Sequence, residues 1–319
     1  MQYRKLGQST IEIAPIVFGG NVFGWTADEQ QSFKLLDALV DHGINMVDTA
    51  NVYSAWAEGH VGGESESIIG KWFAKSGQRD KIVLATKVGM TMGDGSQGLK
   101  KDNIVKSAEQ SLKRLQTDYI DLYYAHKDDP NTPIEETLSA FETLIKDGKV
   151  RAIASSNYSA ERLSEALDVA KAENLPSYIA HQPEYNLFDR SDYESTLEPV
   201  CQHNELAVVT YFSLASGFLS GKYHTKADLE NAPRKDFLGK YMTPRGEKIL
   251  AALANVANAH HVPMATVALA WIMHRPSVTA PIASATSLAQ LEQLAQAATL
   301  NLSTEDMNIL NDASDEPSA

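Results

Sequence analysis

"IVLATKVGMTMGDGSQGLKKDNIVKSAEQSLKRLQTDYIDLYYAH" (82–126) contains two β-rich runs, "IVLATK" (82–87) and "YIDLYYAH" (119–126). Between them lies a stretch of helical period and composition, "SAEQSLKRLQ" (107–116). Strand, helix and strand in that order predict parallel pairing through a crossover connection. The unit recurs in both directions. Upstream stand "IVFGG" (16–20) and "NMVDTA" (45–50); downstream stand "VRAIASSN" (150–157), "YIAHQ" (178–182), "AVVTYFS" (207–213) and "VTAPIAS" (278–284), making eight runs. Helical stretches alternate with them, among them "DEQQSFKLLDALVDHG" (28–43), "IEETLSAFETLIKDG" (134–148) and "ERLSEALDVAKAENL" (161–175).

Eight strand–helix units predict an α/β fold of the closed (β/α)8 TIM-barrel type, whose usual size is ~250 residues. An open doubly wound sheet would favour a G-x-G-x-x-G turn after its first strand. "FGGNVFGW" (18–25) is glycine-rich without that spacing. "YRKL" and "TIEIA" predict a short N-terminal hairpin. The polar, Gly- and Pro-containing segment 221–246 predicts a long loop after strand 7, over one end of the barrel. No linker divides the chain, so residues 1–319 are expected to form a single domain.

The composition is that of a globular protein, 43% apolar and 22% charged. Lys and Arg number 28 against 41 Asp and Glu, a formal charge of −13. That balance argues against nucleic acid and anionic membranes as partners, yet leaves room for an anionic small ligand. One cysteine, Cys201, gives neither an internal disulfide nor a metal cluster. The N-terminus is polar without a secretory core, and apolar stretches such as "VALAWIM" (267–273) fall short of the ~20 residues of a membrane span. A cytoplasmic protein is expected.

In such barrels the C-terminal strand ends carry the chemistry. Asp48, Lys87 and His126 close the second, third and fourth strands, and Tyr53 follows on the loop after the second. Neighbouring strands lie ~4.8 Å apart, so Asp48 and Lys87 can form a buried ion pair that leaves Lys87 facing Tyr53. The set suits proton donation from a phenol. Free tyrosine has a pKa near ~10, too high for efficient donation at neutral pH. A neighbouring ammonium lowers it, a carboxylate holds the ammonium, and an imidazole can orient the acceptor oxygen. Such an assembly protonates an oxygen that gains charge, as a carbonyl does when hydride reaches its carbon.

"VDTANVYS" (47–54), "LATK" (84–87) and "YYAH" (123–126) resemble the aldo-keto reductases, and the resemblance runs from "YRKLGQSTIEIAPIVFGG" through "GGESESIIGKW" and "IASSNYS" to "GKY…KYMTPRG". It points to the bacterial branch related to potassium-channel β subunits. The resemblance implies Tyr53 as general acid, Lys87 as its pKa-lowering partner, Asp48 as support for Lys87, and His126 as orienter of the carbonyl.

It also implies a nicotinamide cofactor lying across the strand ends without a Rossmann turn. Ser156, Asn157 and Gln182 match the carboxamide contacts, and Tyr211 matches the ring beneath the nicotinamide. Ser213, Leu214, Ser216 and Lys222 would meet the pyrophosphate, with Arg234 folding over it. Ser284, Thr286, Gln290 and Gln293 fall at the adenosine end. Cations common in the family near the 2′-phosphate are replaced here, yet Lys222, Arg234 and the two hydroxyls favour NADPH, with NADH as the alternative. From the residues alone, Ser156 and Asn157 also read as a cap on the next helix.

The substrate expected is a small aldehyde or ketone. Trp25 and Trp56 are the candidate pocket lining, whereas Trp72 reads as helix packing. "EGHVGGESE" (58–66) is expected to form a mobile loop at the mouth, and Lys127 either attracts anionic substrate or faces water. Two other readings compete. One is a nucleotide-binding redox sensor that engages a protein partner. The other is a metal hydrolase using His60, His126 and His181, but no H-x-H or H-E-x-x-H spacing accompanies them, and no metal site is assigned.

Overall fold

The computed structural model describes residues 1–223, 228 and 235–315. A hairpin of β1 (Arg4–Lys5) and β2 (Glu12–Ile13) precedes eight parallel strands. These are β3 (Val17–Gly19), β4 (Met46–Asp48), β5 (Val83–Val88), β6 (Ile120–Ala125), β7 (Val150–Ser156), β8 (Ala180–Gln182), β9 (Ala207–Thr210) and β10 (Ala280–Ala283). They pair in chain order and β10 closes on β3, giving the (β/α)8 barrel. Helices α1 (Glu29–Asp41), α2 (Glu64–Ser76), α3 (Lys101–Leu115), α4 (Ile134–Lys146) and α5 (Ala160–Ala172) fill the early crossovers. Helix α6 (Glu198–His203) follows β8. Among the described residues, no helix is long and apolar enough to cross a membrane.

Alternation along the strands divides the core in two and decides what reaches the site. Met46, Ala85, Leu122, Tyr124, Ala154, Ala180 and Val209 fill the barrel interior, all fully buried. Val47, Leu84, Tyr123, Ile153 and Val208 alternate with them and pack beneath the surrounding helices. Because strand side chains repeat every second residue, Asp48, Lys87, Ser156 and Gln182 also point inward, one step beyond the apolar layer. The ladder fixes their heights, pairing Asp48 with Ala85, Lys87 with Tyr124 and Ser156 with Gln182.

Several strands end earlier than their apolar runs. β4 stops at Asp48 and β9 at Thr210, because Thr49 to Tyr53 and Tyr211 to Ser213 turn away over the barrel mouth. The long connection after β9 carries the short α7 (Lys235–Leu238) and then two full helices, α8 (Pro244–His260) and α9 (Met264–Met273). Helices α10 (Leu288–Ala297) and α11 (Thr304–Ser314) follow β10.

Two local expectations are corrected. The cap of α5 is Ser159, whose hydroxyl accepts from the Arg162 N–H; Ser156 and Asn157 are turned to the barrel mouth instead. The last three residues of the stretch 58–66 are helix, since α2 opens at Glu64, whose carboxylate accepts from the N–H groups of Val61 and Gly62. Glu66 within it is fully buried, held by Arg114 Nε at 2.7 Å and Thr86 Oγ1 at 2.6 Å.

Candidate active site

Lys87 is 0% exposed and Asp48 1%, so neither charge is solvated by bulk water. An isolated buried charge costs several kcal/mol, so each requires partners inside the protein. Lys87 spends all three ammonium donors within the site. Nζ donates to Asp48 Oδ2 at 2.5 Å, to Tyr53 Oη at 2.8 Å and to the Thr49 carbonyl at 2.9 Å. The other Asp48 oxygen, Oδ1, accepts from Gln182 Nε2 at 3.0 Å. Burial pushes the Lys87 pKa down, and Asp48 opposes that by attraction and hydrogen bonding. Tyr53 Oη thus accepts from a buried cation and lies 3.3 Å from Asp48 Oδ2, to which it donates.

His126 lies just beyond β6, its ring edge-on to Tyr53 at 6.1 Å between centroids. Its own N–H is fixed on the Val88 carbonyl, and its carbonyl accepts from Asn157 Nδ2 at 2.8 Å. Burial, and then the Lys87 cation, hold the imidazole pKa well below the usual 6.5. The ring is therefore neutral at pH 7, with one nitrogen to donate and one to accept. Nδ1 is buried without a hydrogen-bond partner. Beneath the group lies Tyr124, fully buried, its ring centroid 5.8 Å from Lys87 Nζ. Sequence reasoning missed Tyr124; its inward position follows from the β6 alternation.

The residues assigned to the cofactor fall into three groups. Ser156, Asn157, Gln182 and Tyr211 adjoin the reactive set: Ser156 Oγ donates to the Gln182 carbonyl and Tyr211 Oη to Asn157 Oδ1, each at 2.8 Å. Asn157 adopts φ 55° there, a left-handed conformation that Asn tolerates better than most residues.

The second group is the turn after β9. Ser213 is buried, its hydroxyl donating to the Thr210 carbonyl at 3.0 Å, and Leu214 is half-buried. Ala215, Ser216 and Gly217 are successively left-handed at φ 48°, 57° and 97°. For the first two that strain costs of order 1 kcal/mol each, and such outliers cluster at ligand clamps. Ser216 Oγ is buried without a partner, and a Cβ on Gly217 would lie 3.3 Å from Lys222 Cε and 3.4 Å from Nζ. A strained loop, an unsatisfied hydroxyl and an exposed cation together fit a pyrophosphate. Arg234 lies outside the described residues.

In the third group Ser284 Oγ donates to Asn21 Oδ1 at 2.6 Å, while Thr286 N–H donates to Gln290 Oε1 at 2.8 Å. Ser287 caps α10. Gln290 is exposed, and Gln293 is half-buried, its carbonyl accepting from Thr266 Oγ1.

Trp56, 49% exposed, stands edge-on to Tyr53 at 5.9 Å, and Trp25 edge-on to Trp56 at 5.5 Å. They extend an aromatic wall outward from the phenol. Trp72 is buried in α2 with its indole donating to Asp37, and Lys127 is exposed. His181 is fully buried, Nδ1 against Ser155 Oγ, and burial lowers its pKa to about 3. Among the described residues, no three His, Cys, Asp or Glu side chains gather to hold a metal.

The sequence model of the Aldo/keto reductase family matches residues 15–315. The chain is 36% identical to the oxidoreductase YrpG of Bacillus subtilis (strain 168), covering 98% of this chain and 95% of that protein. It is 33% identical to a probable voltage-gated potassium channel subunit beta of Arabidopsis thaliana, covering 92% and 90%. It is 31% identical to an L-glyceraldehyde 3-phosphate reductase of Escherichia coli O157:H7, covering 96% and 90%. With these extents, the chain belongs to the aldo/keto reductase family of NAD(P)H-dependent oxidoreductases.

Proposed function

We propose that this protein reduces an aldehyde or ketone to the alcohol, with NADPH as the hydride source and Tyr53 as the proton donor. The observation that carries the reading is the buried chain Gln182–Asp48–Lys87–Tyr53, which ends in a phenol at the barrel mouth. When bound, the cofactor supplies a hydride, which no side chain can. Ser156, Asn157 and Gln182 would hold its carboxamide, Tyr211 its ring, and Ser213, Leu214, Ser216 and Lys222 its pyrophosphate. The preference for NADPH is supported by the cations Lys222 and Arg234 and the hydroxyls of Ser284 and Thr286.

The protein's own part is to handle one proton and one developing charge. Neutral His126 donates a hydrogen bond to the substrate oxygen and fixes it beside Tyr53 Oη. As charge builds on that oxygen, Tyr53 releases its proton to it, and Lys87, already within 2.8 Å, stabilises the phenolate that remains. Asp48 keeps the ammonium charged and placed. Trp56 and Trp25 exclude water from one side of the substrate.

The test is consumption of NADPH, and separately of NADH, by purified protein over a panel of small aldehydes and ketones. Turnover with NADPH as the better donor is the expected result. Comparable or tighter NADH binding in a fluorescence titration would reverse the cofactor assignment. Nucleotide binding without turnover on any carbonyl would replace the reductase reading with that of a nucleotide-binding sensor.

A further inference from the structure

Opposite the site, at the N-terminal face of the barrel, a cavity of about 440 Å³ opens beneath β9 and β10. Its walls come from the hairpin, the end of α6 and the segment joining α9 to β10. That volume falls in the range of small-molecule sites, ~300–1,000 Å³. Its charges run against those of the molecule. The whole chain carries −13, yet three cations, Arg4, Lys5 and Arg275, line the cavity with a single carboxylate, Glu205.

Those cations are poorly compensated. Arg4 spends its terminal nitrogens on carbonyls, Nη1 on Val278 and Thr279 and Nη2 on Met273. Among the described residues no carboxylate pairs with it, and burial alone pushes its pKa down. Lys5 is exposed and, among the described residues, forms no ion pair, although Glu12 faces it across the hairpin. Arg275 reaches Glu194 at 3.2 Å, but Glu194 is shared with Arg190 at 2.9 Å. Glu205 accepts from the Gln8 amide at 2.6 Å. His274 places Nδ1 against the Ala270 carbonyl and Nε2 against the Leu302 N–H.

Two further donors lie within two residues of each other. Arg275 Nε and Ser277 Oγ are both buried, and neither has a hydrogen-bond partner. A buried donor left unpaired carries a desolvation cost that is removed when an acceptor arrives. Donors without acceptors, beside cations that outnumber the carboxylates around them, select an oxyanion. We propose that this cavity binds an organic oxyanion of metabolite size bearing two or more negative charges, at a site separate from carbonyl reduction.

The test uses the full chain saturated with nicotinamide cofactor, which keeps anions out of the pyrophosphate loop. Citrate and, separately, glycerol 3-phosphate are titrated by calorimetry at ionic strength matched with sodium chloride, which distinguishes carboxylate from phosphate recognition. One-to-one binding is expected, weakened about tenfold by Ser277→Ala and about fivefold by Lys5→Gln. Without ligand, Lys5→Gln should melt at the parent temperature and Ser277→Ala at or above it, since that change removes an unpaired buried hydroxyl, and both should reduce carbonyls at the parent rate. Absence of binding by both probes, parent affinity in either variant, or competition with the carbonyl substrate would overturn the proposal.

Discussion

The two ends of the proposed cofactor groove are built on opposite principles. At the reactive end, Asp48, Lys87, Ser156 and Gln182 are 0–2% exposed, stand on strands, and are bonded to one another. At the adenosine end, Ser284, Thr286 and Gln290 sit on a loop and the first turn of α10, where side-chain partners are local and solvent is near. Strand register permits little adjustment, whereas a loop can change side chains without disturbing the barrel. Reaction chemistry should therefore be brittle to substitution, and cofactor preference tunable.

The largest effects belong to the brittle end. Tyr53→Phe should lower kcat/KM by at least ~10²-fold while nucleotide affinity, read by fluorescence titration, stays at the parent value. Retained activity would move the acid role to His126. Lys87→Met should be as severe in rate and, unlike Tyr53→Phe, should also cost about 3–5 kcal/mol in a denaturant melt, because it strands Asp48 without its countercharge. Adding Asp48→Asn to Lys87→Met should restore much of that stability and none of the activity. If the double variant melts like Lys87→Met alone, the ion pair is not the source of the cost.

A smaller loss is expected at Gln182, the bridge between the reactive carboxylate and the proposed carboxamide contact. Gln182→Leu removes the only donor found on Asp48 Oδ1 among the described residues. About 1–3 kcal/mol of stability and roughly tenfold in rate should go with it. An unchanged melt and rate would mean that water replaces the amide without cost.

His126 gives a prediction in pH. Its folded pKa is depressed, so the imidazole stays neutral as pH falls through 6.5, and the pH–rate profile should have no acid limb there. The sign for stability is the reverse of a salt-bridged histidine. The unfolded chain gains protons that buried His126 and His181 refuse, so stability is lost as pH falls from 6.5 toward the folded values. His181, lowered to about 3, should contribute about 1.4 kcal/mol per pH unit through that window. A melt that is flat between pH 6.5 and 5 would show both rings to be more hydrated than their burial implies.

The sequence carried the reactive end better than the loops. Asp48, Lys87 and His126 were legible because three consecutive β-rich runs each carry an ionisable residue at or near their C-terminal end, and parallel pairing sets those ends side by side. The Gln182 contact was not, since it links residues 134 positions apart across the barrel mouth, a distance set by closure rather than by local pattern. The α5 cap was misplaced by two to three residues because "SSNYS" offers several capping side chains, and only the end of β7 at Ser156 chooses among them. The hairpin was legible as a hairpin. That its Leu6 and Ile13 would plug the barrel interior depends on Gly7, at φ 55°, where a Cβ would fall 2.4 Å from the Ile179 carbonyl oxygen.

The tunable end yields the smallest effect and the sharpest contrast. Gln290 is exposed, and its side-chain oxygen is committed to Thr286, so the position presents no cation to an adenosine phosphate. Gln290→Arg should free Thr286 and place a guanidinium at the opening turn of α10, where it can meet phosphate in bidentate fashion. Because the site is solvated, the gain should be only about 1 kcal/mol, roughly fivefold tighter NADPH with NADH unchanged. Salt should erase it, since exposed charges are screened beyond ~8 Å at physiological ionic strength. Turnover of the carbonyl substrate at saturating cofactor should be the same as in the parent. Equal tightening of both cofactors would mean that the arginine reaches the pyrophosphate, and that the adenosine phosphate lies away from α10.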